Sequence, residues 1–312
     1  MRALKLYYAC KPLIPRRVQL GLRRMLVRRM LPSYTSVWPI CPEADKTPED
    51  WSGWPDGKRF ALVLTHDVDT ARGQERCEAL MTIEEKLGFR SAFLFVPERY
   101  PVSRDLQQRL RSRGFEVGVH GLNHDGKLYQ SRARFRSRAV RINQYLREWG
   151  CTGFRSPAMH CNLDWLGDLD ITYDASTFDT DPFEPQPQGA GTIFPFWVRR
   201  VGAQSGYVEL PYTLPQDSTL FVMMKERGPE RWKQKLDWVA ERGGMALLNA
   251  HPDYMTFEGR PRFDTYPADY YEQFLEYVKT RYAGQYWHVL PNDLARFWAA
   301  RQTQHEEVID YV

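Results

Sequence analysis

The chain has 312 residues, 43% of them hydrophobic and 26% charged, which is ordinary globular composition and enough for one large α/β domain with a full core or for two small ones. The net charge is +4, yet residues 1–42 hold nine basic and no acidic side chains, leaving 34 basic against 39 acidic residues in the remainder. A mildly acidic body argues against nucleic-acid binding, which needs a basic stripe on the folded domain.

Five scattered cysteines (Cys10, Cys41, Cys77, Cys151, Cys161) make no CxxC pair and no dense framework, which fits a reducing compartment. Arginines interrupt the N-terminal apolar residues, so no secretory signal is read there. No run of about 18 apolar residues predicts a spanning helix. The expected location is cytoplasmic, with the inner membrane face as a candidate place. Residues 1–31 read as a basic, partly amphipathic segment, in which Leu20, Leu22, Met25, Leu26 and Met30 mix with arginine pairs and Pro12 and Pro15 break the start. Peripheral contact with an anionic membrane is one reading; a solvated helix packed on the main domain is the plainer one. Residues 32–58, rich in Pro, Trp and Gly, form an irregular lead-in. The ten tryptophans could stack on sugars or simply fill the core.

From residue 59 the pattern alternates between strands and helices. Residues 61–65 predict a strand, 75–87 a helix, 92–96 a strand, and 104–113 a helix stopped by Gly114. A strand follows at 116–120. A strong helix follows at 131–149, where Phe135, Ala139, Ile142, Leu146 and Trp149 recur on one face and arginines cover the other. Further strands are expected at 172–174, 207–211, 246–250 and 287–290, and helices at 230–241, 268–282 and 292–302. This alternation indicates βα units and a parallel sheet, and the count suits a barrel of about seven or eight strands better than an open sheet. The domain division is an extension and lead-in (1–58), a barrel (59–302) and a C-terminal tail (303–312).

Four segments carry chemistry. In Thr65-His66-Asp67-Val68-Asp69, strand alternation puts Thr65, Asp67 and Asp69 on one face and His66 on the other. Carboxylates at the exit of a buried strand are costly unless paired or bound to a metal; the alternative is a pair of helix-capping aspartates. In His120-Gly121-Leu122-Asn123-His124, two imidazoles four apart can converge in a tight loop that the glycines permit. Asp plus two His, with one open position, is the donor set of a catalytic zinc site. Arg155, in Gly153-Phe154-Arg155-Ser156-Pro157, could pair with a catalytic carboxylate or belong to a turn. His251 follows the apolar run Leu247-Leu248-Asn249-Ala250, at the expected barrel mouth, where a structural role is the alternative.

In this order the four segments resemble the polysaccharide deacetylase family (carbohydrate esterase family 4, the NodB-homology domain) over roughly residues 59–300. The resemblance implies a distorted (β/α) barrel and a divalent metal held by Asp-His-His. It also implies removal of N-acetyl groups from sugars. His120 and His124 match the metal histidines, Arg155 the arginine that holds the catalytic base, and His251 the late catalytic histidine. The family's usual adjacent Asp-Asp is here Asp67-Val68-Asp69, resembling an Asp-x-Asp branch in which Asp67 is the base and Asp69 the metal ligand. The acid that orients His251 is left open among Asp174, Asp179, Asp181 and Glu209. Trp165 is a candidate cleft residue or a packed helix tryptophan. The expectation is a Zn²⁺-type metal hydrolase acting on a carbohydrate, with a role in cell-surface polysaccharide biosynthesis. The alternatives are a hydrolase of another non-peptide C–N bond and a catalytically inactive glycan binder.

Overall fold

The computed structural model describes residues 15–49, 51–200, 202 and 205–309, the last eight by backbone alone. Residues 1–14 of the basic segment, with Cys10 and Pro12, lie outside the described residues, as do 310–312 of the tail. Helix α1 (Arg16–Met30) begins right after Pro15. Short turns carry the lead-in to β1 (Phe60–Val68), in which every residue is buried. A strand covered on both faces belongs to a parallel sheet. Fully burying Leu62, Val63 or Leu64 stabilises the fold by about 1.5–3 kcal/mol each.

Next come α2 (Cys77–Leu87), β2 (Ala92–Phe95), α3 (Arg104–Ser112) and β3 (Glu116–His120). Helix α4 (Arg132–Trp149) is capped by the Ser131 hydroxyl, which accepts from the Arg134 N–H, and ends at Gly150 in the left-handed region. Its five predicted apolar residues are buried. Its arginines lie outward, pairing with Asp125, Asp168 and Glu98.

The chain continues through β4 (Gly153–Arg155), β5 (Tyr173–Asp174), β6 (Phe196–Arg199), β7 (Gly206–Glu209), α5 (Glu230–Arg242) and β8 (Met245–Ala250). A small ribbon pairs β9 (Met255–Thr256) with β10 (Tyr266–Pro267). Last are α6 (Asp269–Arg281), β11 (Tyr286–His288) and α7 (Pro291–Ile309). Several features differ from the sequence reading, the ribbon β9–β10 among them. Strand β6 was not anticipated; its Phe-Trp-Val-Arg pattern is only half-buried and pairs antiparallel with β7. Helix α7 runs seven residues past the expected 302, through the polar stretch 303–309.

The main sheet runs β11-β1-β2-β3-β4-β5-β7-β6, with β8 on the other flank of β1. All pairings are parallel except β6–β7. A parallel bridge from Leu214 to Leu248 links the segment after β7 to β8, so the sheet curls back toward itself as a half-barrel. Parallel strands bring their C-terminal ends to one rim, where Asp67, His120, Arg155 and Ala250 all sit. Four tryptophans do packing work elsewhere: Trp51 and Trp54, in the lead-in, stack among themselves and on Trp298, with Trp54 also near Trp287. No helix among the described residues is long and apolar enough to cross a membrane.

Candidate active site

The exit of β1 keeps its alternation. Thr65 and Asp67 both reach Arg155, at 3.0 and 3.1 Å from its Nη1. His66 points the opposite way, into a buried contact with Glu84 at 2.8 Å. Arg155 is fully buried at the end of β4. It also donates to Ala175 O and Asn249 Oδ1, at 2.7 and 2.8 Å. Asn249 in turn donates to Asp67 Oδ2 at 2.8 Å. Asp67 is therefore a buried carboxylate held on both oxygens. Burial pushes its pKa up, but His120, Arg155 and His251 together outweigh that and hold it below the usual aspartate value.

Two residues further on, Asp69 meets two imidazoles. Its Oδ1 lies 3.4 Å from His120 Nε2 and 3.0 Å from His124 Nε2, and the three donor atoms fall within 4.8 Å of one another. Asp69 Oδ1 is buried without a hydrogen-bond partner. His120 Nδ1 lies 3.1 Å from the Arg155 carbonyl oxygen. A carbonyl only accepts, so the ring proton sits on Nδ1 and the lone pair on Nε2. A buried orphan oxygen beside imidazole lone pairs is the donor chemistry of a divalent-cation site, and these residues could hold such an ion. His124 reaches the point from a left-handed backbone, φ 54°, a strained conformation for a non-glycine residue. Gly121, at φ 62°, makes the preceding turn, and a Cβ there would lie 2.5 Å from the Pro157 ring. Burial would raise the Asp69 pKa, but His124 and His120 pull it well below the normal range.

On the opposite side of Asp67 stands His251, directly after β8, with Nε2 3.8 Å from Asp67 Oδ2. Its Nδ1–H donates to Asp217 Oδ1 at 2.7 Å, and its backbone N–H donates to Asp217 Oδ2 at 2.8 Å. Burial disfavours the imidazolium, yet Asp217, aided by Asp69 and Asp67, raises the His251 pKa to about 10.

The four acids considered for this partnership from sequence are engaged elsewhere. Asp174 accepts from Ser176, and Glu209 from Thr177. Asp179 pairs with Lys235 and Asp181 with Tyr212. Asp217 lies between Pro215-Gln216 and the apolar π-helical turn Ser218–Met224, where no strand pattern marks it. Asp253 and Asn249 also went unrecognised as site residues. Asp253 Oδ2 accepts the Asp69 N–H at 2.9 Å and its Oδ1 accepts the Thr70 hydroxyl, which fixes the Asp69 backbone. Asn249 had a visible signal, a lone amide inside a buried apolar strand. Trp165 is packed beside Tyr129 and Phe135, with the Arg132 guanidinium near its ring.

The sequence matches no protein-family model and no curated protein. Solved structures do match. A putative polysaccharide deacetylase from Mycobacterium smegmatis superposes with a TM-score of 0.61 at 19% identity, over 82% of this chain and 96% of its own. The chain shares the fold of this structure. The Puue allantoinase gives 0.60 at 18% identity over 79% of this chain and 92% of its own. A probable polysaccharide deacetylase from Pseudomonas aeruginosa PAO1 gives 0.56 at 19% over 78% and 92%.

Proposed function

We propose that the protein is a metal-dependent hydrolase that removes an N-acetyl group from a sugar or a polysaccharide precursor. The observation that carries this is a single rim where a cation donor set (Asp69, His120, His124), a held carboxylate (Asp67) and a carboxylate-backed imidazole (His251) meet. When bound, a divalent ion, Zn²⁺ being the first candidate, supplies Lewis acidity that brings the pKa of water near 7 and polarises a carbonyl.

The chain's own residues do the proton work. Asp67, held by Arg155 and Asn249, takes the proton of the attacking water. His251, protonated at neutral pH because of Asp217, gives its Nε2 proton to the departing amine. General acid–base catalysis of this kind contributes about 10²- to 10⁴-fold. Arg155 and Asp217 are positioning residues, since each acts through the group it holds. Asp253 positions Asp69 in the same way.

The likeness to the Puue allantoinase favours a second reading, hydrolysis of another non-peptide C–N bond on the same rim. Incubating metal-loaded protein with N-acetylated oligosaccharides and, separately, with allantoin decides between them. Acetate release supports the deacetylase. Opening of allantoin without acetate release supports the second reading, and neither product from metal-loaded protein points to a binder.

A further inference from the structure

Helix α1 carries apolar side chains on both faces, more than packing on its own domain requires. Leu20 and Val27 are buried against Val222 and Met223 of the π-helical turn. Arg24 fastens the same face, donating through Nε to Val222 O at 2.9 Å and through Nη2 to Phe263 O. The outer face carries Val18, Leu22 and Met25 at the i, i+4, i+7 spacing of one helical stripe, with Leu26 beside it. These are 50%, 49%, 65% and 56% exposed, and they are four of the five exposed large apolar side chains among the described residues. Six arginines and no acid share the helix.

We propose that this face of α1 docks on a lipid bilayer carrying anionic headgroups. An apolar stripe flanked by arginines matches that surface in both hydrophobicity and charge. A second copy of the chain is the poorer occupant, because pairing two such helices sets arginine against arginine with no carboxylate between them. The inner face of the same helix lies close to the catalytic rim. Tyr254 packs on the Leu20/Val27 cluster from one side, and its ring centroid lies 5.1 Å from that of His251. The π-helical turn under α1 starts at the residue after Asp217. Docked this way, the site stands one side chain away from the lipid-facing helix. The inference rests on this geometry and not on the reaction proposed above.

The test uses the full chain and vesicle flotation. Vesicles of phosphatidylcholine alone are compared with phosphatidylcholine mixed with phosphatidylglycerol, at about 0.1 M and about 0.5 M salt. The expected result is at least about tenfold stronger binding to the anionic vesicles, weakened by salt, since each basic residue near such a surface is worth on the order of fivefold. Two variants follow, Leu22→Ser/Met25→Ser/Leu26→Ser on the apolar stripe and Arg28→Gln/Arg29→Gln on the charge. Each should lose about tenfold or more in vesicle binding while keeping the melting temperature and metal content of the parent. No binding to anionic vesicles, or equal binding to both compositions, overturns the proposal. So does a parent dimer in sedimentation that the apolar-stripe variant converts to monomer. Vesicle binding is read without substrate, so normal binding with no acetate release would sink the deacetylase reading and leave the docking intact.

Discussion

Asp217→Asn keeps the shape of the side chain and removes its charge. In the parent, Asp217 is foremost among the groups that raise the His251 pKa from 6.5 to about 10. That net difference of roughly 3.5 units corresponds to about 5 kcal/mol, left after burial has opposed the joint effect of Asp217, Asp69 and Asp67. Hydrogen bonding sharpens the effect. Asp217 Oδ2 receives two donors, the His251 N–H and the Tyr266 hydroxyl at 3.0 Å. Its Oδ1 likewise receives two, the His251 Nδ1–H and the Ser218 N–H, both at 2.7 Å, and the single oxygen of the neutral amide cannot accept from all four. Without the carboxylate charge the imidazolium loses its foremost support, so the ring gives up its second proton at a lower pH and is a poorer acid catalyst at neutral pH. The expected result is a fall in kcat of about 10²- to 10⁴-fold. The alkaline limb of the pH profile should move from about 10 toward the free-imidazole value. The assay is acetate release from an N-acetylated oligosaccharide across pH, with parent and variant loaded with the same metal. An unchanged kcat with the alkaline limb still near 10 would refute the reasoning. Stability obeys the same linkage. A histidine whose folded pKa is raised contributes its full stabilisation below 6.5 and loses it as pH rises through about 10. The variant should therefore melt below the parent at pH 7, and the gap should close above pH 10.

Arg155→Met removes the cation from a fully buried pair and leaves Asp67 without its main donor. Breaking such a pair costs about 3–5 kcal/mol, which lowers the melting temperature by roughly 6–20 °C. Because Asp67 is held below its ordinary value partly by Arg155, the acidic limb of the activity profile should shift to higher pH. An unchanged melt and an unchanged acidic limb would contradict the assigned role. Gly121→Ala drives a Cβ into the Pro157 ring at a left-handed backbone position. Metal affinity, measured by chelator competition, should fall about tenfold or more as the His120–His124 loop shifts. Gly150→Ala, at φ 59° with nothing within 4 Å of the added Cβ, should cost stability but leave metal affinity unchanged.

The rim was legible in the sequence where chemistry and periodicity coincide. Asp67 and Asp69 stood at the exit of a continuous apolar strand, and His120 ended another. Period-two alternation alone separated His66 from the carboxylates, and in the structure His66 does turn away to Glu84. What stayed hidden lies where no period exists. Asp217 sits in an irregular connection between β7 and α5, and only the curl of the sheet carries it to β8, 34 residues later in the chain. Asp253 is more remote still, 184 residues from Asp69 in sequence, and meets its backbone from the short helical turn Pro252–Tyr254. Strand β6 escaped because its short apolar run Phe196-Trp197-Val198 follows Pro195 and forms a half-buried antiparallel edge outside the alternation of parallel strands and helices.

Metal content of the purified full chain, by elemental analysis after loading with excess Zn²⁺ and desalting, addresses the cation site itself. The account predicts one ion per chain at the Asp69-His120-His124 cluster, lost in Asp69→Ala, His120→Ala and His124→Ala and retained in His251→Ala. A parent that takes up no ion, or alanine variants that keep a full equivalent, would contradict it.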